Sequence, residues 1–334
     1  MVHIPRAGSR PSNGEASDIH GPEARTLLLR LKEGIHRVVV GRDEVLDQIL
    51  VGLVADGHLL IEDLPGLGKT LMARSFAQAL GLKFTRIQFT ADLLPQDITG
   101  GEVFDVSKNS FSFRPGPVFT NLLLADEINR APPKVQSALL EAMQEYQVTS
   151  EGGTHPLSRP FIVLATQNPL ELEGTYPLPE AQVDRFLMRL TVGYPTVTEE
   201  RAILDRRRER RTDMVEVPQV LAPEDLVNIQ GAAEEVEIDP ALERYIVDLV
   251  GLTRADPRVE VGASPRGSLA LLKLSRARAL MEGRDFVVPD DVKSLAGPAL
   301  AHRIIVRPEP WIRGVRGIQV VAAASERLTV PKVG

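Results

Sequence analysis

Cysteine is absent from the 334-residue chain. Disulfides, thiolate catalysis and cysteine-ligated zinc are therefore excluded. The six histidines are scattered and show none of the paired spacings of a metal site. No apolar run approaches the roughly 18–20 residues of a membrane span, and the N-terminus lacks an apolar signal region. An excess of positive charge is missing too. The formal net charge of −6 argues against non-specific nucleic-acid binding as the main task. A cytoplasmic protein is the expectation. The apolar and charged fractions are those of an ordinary globular protein, and the length suggests two domains.

The organising stretch is Asp63-Leu64-Pro65-Gly66-Leu67-Gly68-Lys69-Thr70. The apolar run Leu59-Leu60-Ile61 leads into it. A helical pattern, with Met72, Phe76, Ala79 and Leu80 on one face, leads out and ends at Gly81. Strand, glycine turn, Lys-Thr and helix form the context of a phosphate-binding P-loop. Glycines let backbone N–H groups turn toward phosphate oxygens, and the helix N-terminus adds unpaired donors and its dipole. The cradle is assigned to Pro65, Gly66, Leu67, Gly68, Lys69, Thr70 and Leu71. Lys69 would reach the β- and γ-phosphates, and the Thr70 hydroxyl would hold Mg²⁺. Asp63 stands where the pattern G-x-x-x-x-G-K-[ST] has its first glycine. At the strand exit its side chain is expected to point away from the phosphates.

Residues 1–22 are rich in Gly, Ser, Pro and Asn and read as a disordered tail. Two helical patterns follow, one carrying Leu27, Leu28, Leu31 and Ile35, the other Val45, Ile49, Leu50 and Leu53. The segment ahead of the P-loop either folds over an adenine or simply packs. Phe84–Phe89 alternates like a strand. Residues 90–120 form a loop-rich insert that reads as surface structure with its own phenylalanine cluster, or as an element that touches a substrate.

Leu122-Leu123-Leu124-Ala125-Asp126-Glu127 is a continuous apolar run ending in two acids. It suits a strand buried on both faces that delivers carboxylates to its C-terminal edge. With a P-loop upstream this is a Walker B pattern: Asp126 for Mg²⁺, Glu127 for the attacking water. Tyr146–Arg159 reads as a hairpin around Gly152-Gly153. Phe161–Ala165 is another buried strand, and Asn168 beyond it is either a phosphate-sensing amide or half of a turn-forming Asn-Pro pair. Strand–helix alternation stops at Gly193-Tyr194-Pro195. Helices are expected at about Val197–Arg211, Pro223–Ala233, Pro240–Arg254, Pro265–Met281 and Pro289–Arg303, with prolines near several starts. The arginine-rich run 206–211 reads as a solvated helix face, since no aromatics are interleaved to stack bases.

These motifs together resemble the AAA+ ATPases of the MoxR family. The most specific runs are Asp126-Glu127-Ile128-Asn129-Arg130-Ala131-Pro132-Pro133-Lys134-Val135-Gln136 and Gly174-Thr175-Tyr176-Pro177-Leu178-Pro179-Glu180-Ala181-Gln182-Val183-Asp184-Arg185-Phe186. The resemblance spans about residues 23–330 and includes the aspartate at position 63. It implies an α/β core with a five-stranded parallel sheet in order 5-1-4-3-2 and a C-terminal all-α lid. The expected division is a tail (1–22), a nucleotide-binding domain (23–195) and a helical lid (196–334). The resemblance makes residues 90–120 a helix-2 insert and 146–159 a pre-sensor-1 hairpin. It implies Asn168 as sensor 1, Arg185 as an arginine finger acting in trans, Arg266 as sensor 2 on the lid, and Val40 and Gly41 near the adenine. It further implies ATP and Mg²⁺, a hexameric homo-oligomeric ring, and chaperone-like remodelling of other proteins beside a von Willebrand factor A domain partner. A nucleic-acid motor is the alternative, disfavoured by the acidic balance. A sensor that hardly hydrolyses ATP is a third reading, disfavoured by the complete catalytic set.

Overall fold

A computed structural model describes residues 21–331, except 108, 151, 171–173 and 213–214. The expected tail thus lies outside the described residues, apart from Gly21 and Pro22, which open the first helix. Helices α1 (Gly21–His36) and α2 (Asp43–Val54) precede strand β1 (Leu59–Glu62). Next come α3 (Lys69–Ala79), β2 (Phe84–Gln88), α4 (Pro95–Thr99), the strands β3 (Gly100–Asp105) and β4 (Ser110–Pro115), and β5 (Leu122–Asp126). The chain continues through α5 (Pro133–Glu145), β6 (Gln147–Ser150), β7 (Gly153–Pro156), β8 (Ile162–Gln167), α6 (Glu180–Val183) and β9 (Met188–Leu190).

Five of these strands form one parallel sheet in the order β2-β5-β8-β1-β9. Numbered by their order within that sheet, this is the expected 5-1-4-3-2. Its strands read as unbroken apolar runs because both faces are covered. Leu59 and Ile61, Leu122 and Leu124, and Ile162 and Leu164 enter one core. Leu60, Leu123, Ala125, Val163 and Ala165 enter the other. Register places Gln88 opposite Asp126 and Glu62 opposite Gln167, so the polar strand ends share one edge.

The insert at 90–120 is more regular than a loop. It holds α4 and an antiparallel β3–β4 hairpin, on which Phe104 and Phe111 meet edge to face at 5.2 Å. Phe113 stacks at 3.6 Å on His155 of the β6–β7 hairpin, which forms where Gly152-Gly153 suggested. The stacking joins the two hairpins.

The C-terminal region contains α7 (Val197–Arg210), α8 (Pro223–Glu235), α9 (Pro240–Ala255), β10 (Val259–Val261), α10 (Pro265–Met281) and α11 (Pro289–Leu300). Proline opens four of these helices, where its missing N–H costs nothing. A 3₁₀ turn at Ala301–Arg303, β11 (Ile305–Val306), α12 (Pro308–Ile312) and α13 (Gly317–Arg327) complete the region. The last helix and the β10–β11 pair are not anticipated by periodicity. α13 buries only a short stripe, Val320, Val321 and Ala324. α10 is the spine of this helical lid and packs on α1, α2, α8, α9 and α11. No helix among the described residues is long and apolar enough to cross a membrane.

Candidate functional site

The P-loop runs from the end of β1 to the start of α3. Gly66 (φ 83°) and Gly68 (φ 84°) are left-handed, and a Cβ at either would meet no atom within 4 Å. Backbone conformation demands glycine here, and the space in front stays open. Lys69 is 9% exposed. Its Nζ donates to the carbonyls of Asp63 (2.8 Å) and Leu64 (2.9 Å), so the lysine is folded back on its own loop. Desolvation pushes its pKa down, and the nearby charges of Asp63, Asp126 and Glu127 oppose that shift.

One pocket brings together Gly66, Lys69, Thr70, Asp126, Glu127 and Asn168. Pro65, Gly68 and Leu71 also line it. Residues nearly 100 positions apart meet because β1, β5 and β8 end at the same sheet edge. Asp126 has both oxygens engaged: Oδ1 accepts from the Thr166 hydroxyl (2.6 Å), and Oδ2 accepts from Arg86 (2.6 and 3.0 Å). Glu127 sits in the left-handed region (φ 57°), which costs a non-glycine residue about 1 kcal/mol. The Thr166 hydroxyl fixes it there by accepting the Glu127 N–H at 2.9 Å. The Glu127 carboxylate accepts from Gln88 Nε2 (2.6 Å) and Arg130 (3.1 Å). Every ionised group in the pocket therefore has an internal partner.

Arg86, Gln88 and Thr166 escape sequence reasoning. Arg86 and Gln88 alternate along an edge strand as any solvent-facing pair would. Only the β2–β5 register reveals that they face the acids.

A second pocket joins the first at the P-loop. Val38, Val40, Gly66, Leu67, Met72 and Ile203 give it apolar walls, and Arg206, Arg207 and Arg210 stand along one side. This corrects the reading of the arginine-rich run as a solvated face. Arg208 does pair with Asp205 in solvent, but Arg206 is half-buried and donates to His36 O at 2.7 Å. Val40 lines this slot. Gly41 does not: it makes a left-handed turn (φ 63°), and a Cβ there would lie 1.8 Å from Glu199 Oε1. Gly41 therefore lets the loop close against α7.

Arg185 and Arg266 line neither of these pockets. They share a third with His58, Asp184, Lys273 and Arg303. His58 directly precedes β1 and the P-loop directly follows it, so this pocket lies at the opposite end of that strand, roughly 13 Å away at about 3.3 Å per residue. A lid arginine bending over its own chain's phosphates is therefore not what the structure shows. The reason is packing: Ser264, which caps α10, donates to Asp184 at 3.0 Å, tying the start of that helix to the segment that carries Arg185. Arg303, 3% exposed, adds an ion pair to Asp184 at 3.0 Å and donates to Phe186 O at 2.8 Å. Burial pulls the Arg303 pKa down to about 10 despite the Asp184 charge. Burial also lowers the pKa of neighbouring His302, helped by the charges of Arg303 and Arg189.

Residues 58–188 match the model of the ATPase family associated with various cellular activities (AAA), and residues 251–326 match the AAA lid domain. Chaperone MoxR1 of Mycobacterium tuberculosis is 41% identical over 96% of this chain and 85% of its own length. The protein YeaC of Bacillus subtilis is 47% identical over 91% of this chain and 95% of its own. The crystal structure of a candidate ATPase from Cytophaga hutchinsonii superposes with a TM-score of 0.87 at 40% identity, covering 93% of this chain and 97% of that one.

Proposed function

Because the chain belongs to the MoxR family of AAA+ ATPases, we propose that it binds ATP with Mg²⁺ at the P-loop pocket and hydrolyses it to remodel or mature partner proteins. The observation that carries this reading is the convergence of Lys69, Thr70, Asp126, Glu127 and Asn168 on one pocket at one sheet edge. The triphosphate lies along the loop, and the adenosine enters the slot walled by Val40, Leu67 and Ile203. Thr70 and Asp126 suit Mg²⁺, which prefers hard oxygens and takes few protein ligands beside phosphate and water. When bound, the metal neutralises charge on the β- and γ-oxygens.

The chain's own part is to exchange partners. Lys69 leaves the carbonyls of Asp63 and Leu64 for the phosphates. Arg86 releases Oδ2 of Asp126. Glu127 leaves Gln88 and Arg130 to orient the attacking water and take its proton as the oxygen attacks in line. Asn168 holds the water and the γ-phosphate through its amide. Arg185 and Arg266 stand too far from their own P-loop, so a second copy of the chain supplies them to it. We therefore read the site as lying between subunits, with Arg266 acting in trans beside Arg185.

A hexameric ring in the cytoplasm, a von Willebrand factor A domain partner, and a division into a nucleotide-binding domain (23–195) and a lid (196–334) complete the proposal. The ring and the partner rest on the family resemblance, the location and the domain bounds on the sequence patterns. The direct test is Glu127→Gln. It should bind a fluorescent ATP analogue as the parent does while phosphate release vanishes. Near-normal turnover would remove Glu127 from its role.

A further inference from the structure

Asp63, the residue that departs from the P-loop pattern, is 6% exposed and lies outside the lining of the phosphate pocket. Its Oδ1 accepts the Leu64 N–H at 2.7 Å. Its Oδ2 accepts the Gly193 N–H at 2.5 Å. Gly193 lies in the segment that leaves β9 for α7. Arg42 reaches the same segment from the adenosine side, where Nη1 donates to Val192 O (3.1 Å) and Tyr194 O (2.8 Å). Three successive residues, 192–194, are thus held in turn by Arg42, Asp63 and Arg42. Arg42 (φ 64°) and Gly193 (φ 70°) are both left-handed. That conformation is unfavourable for arginine, and it points to a junction fixed by its surroundings.

This junction touches both ends of the nucleotide site. On the phosphate side, Lys69 Nζ donates to the Asp63 carbonyl. On the adenosine side, Arg42 borders the slot, and so does Pro195, just past the held residues. α7 begins at Val197 and carries Ile203, Arg206, Arg207 and Arg210 along that slot. A buried carboxylate accepting backbone N–H groups makes charge-assisted bonds, roughly twice as strong as neutral ones. Movement of the loop entrance is therefore passed on to residues 192–194.

We propose that Asp63 and Arg42 form a clasp that couples occupancy of the P-loop to the connection between the sheet and α7. Asp63 is then a positioning residue for turnover and not a phosphate ligand. This rests on the nucleotide reading above. It accounts for an aspartate where a bare P-loop needs only glycine. A glycine would keep the turn and lose the clasp.

The test is hydrogen–deuterium exchange with and without ADP and Mg²⁺, on the full chain, beside steady-state turnover. The parent should gain protection at 65–71 and at 192–200 together. Asp63→Asn keeps the size, loses the charge and retains one carbonyl acceptor in place of two. It should keep protection at 65–71 and bind nucleotide within about 3-fold of the parent, yet lose protection at 192–200. Its kcat should fall about 10-fold with KM nearly unchanged, as expected for one hydrogen bond to a charged group. Arg42→Met attacks the clasp from the other side, leaves Asp63 in place and should likewise lose protection at 192–200 and about 10-fold in kcat, so a folding defect in one variant does not spare the idea; bordering the slot, it carries no constraint on affinity. Parent-like protection and kcat in both variants would overturn the proposal. So would ATP binding at least 10-fold tighter in Asp63→Gly, which would mean that the carboxylate acts on the nucleotide itself. Protection of 65–71 without 192–200 in the parent would sink the clasp alone. No protection at 65–71 would sink the nucleotide reading and the clasp with it.

Discussion

The two ends of β1 carry opposite chemistry and are built in opposite ways. At the C-terminal end, a lysine is held by carbonyls of its own loop and two acids by neighbouring polar side chains, several of them open to solvent. The Arg86 side chain, for example, remains 47% exposed while pairing Asp126. At the N-terminal end, four cationic side chains line one pocket with a single carboxylate, Asp184, whose ion pair with Arg303 is largely buried. In the proposed reaction the first end rearranges, each of its groups exchanging an internal partner for phosphate, metal or water. The second is already set, its backbone held by Arg303. A receiving surface that must adapt and a donating surface that must not are suited to meet each other on neighbouring copies, and one chain cannot bring its own two ends together.

The comparison breaks most sharply at Arg185. Arg185→Ala should cut turnover by about 10³–10⁵ and leave nucleotide affinity within a few-fold, because on the proposed reading the residue serves another copy's site. Mixing it with Lys69→Ala should restore part of the activity, each variant supplying the half that the other lacks. Absence of restoration at every ratio would mean that the two ends do not meet across a subunit boundary. The claim that the cationic end is rigid is tested by Arg303→Met. Removing Arg303 leaves Asp184 with only the Ser264 hydroxyl and the more distant Arg266, and frees the carbonyls of Asp184 and Phe186, so it should cost about 3 kcal/mol in urea unfolding. A loss below about 1 kcal/mol would show that the segment carrying Arg185 is held by something else.

A smaller effect concerns proton uptake. Burial holds His302 and His58 neutral in the fold, each with its pKa lowered. Unfolded histidines take up protons below about pH 6.5, so the unfolded chain binds more protons and stability falls as pH drops below that value. His302→Gln should remove roughly 1 kcal/mol per pH unit of that slope between pH 6 and 5. An unchanged slope would show that His302 is charged in the fold.

Much of the receiving end could be read directly from the chain. Asp126, Glu127 and Asn168 stand at or just past the ends of strands whose apolar runs announce themselves, and Lys69 and Thr70 open the helix after another such strand; the exit of a buried strand is where ligands bind in such sheets. The donating end was legible only as a resemblance. Asp184, Arg185 and Arg266 have no local pattern of their own, and Arg303 sits in a helical stretch where nothing distinguishes a buried arginine from a solvated one. Arg86 and Gln88 depend on strand register. The arginines at 206–211 divide between slot and solvent because α7 presents only one face to the P-loop, and their charge run conceals that division. Asp63 stands outside the lining of the P-loop pocket, and its partner lies 130 residues later, where no spacing rule connects the two. Local signals reach as far as the strand ends, and what joins those ends is tertiary.

The place of β1 in the sheet also bears on how the chain is made. Its neighbours are β8 and β9, so Leu59 pairs with Leu164 on one side and Met188 on the other. On a ribosome, the strand that carries the phosphate loop waits for more than a hundred further residues before either flank is covered. Until then Leu59, Leu60 and Ile61 are an unpaired apolar edge, the kind of segment that recruits strands from other nascent chains. A protein proposed to remodel others is thus born with the strand that carries its own phosphate loop left long unsheltered.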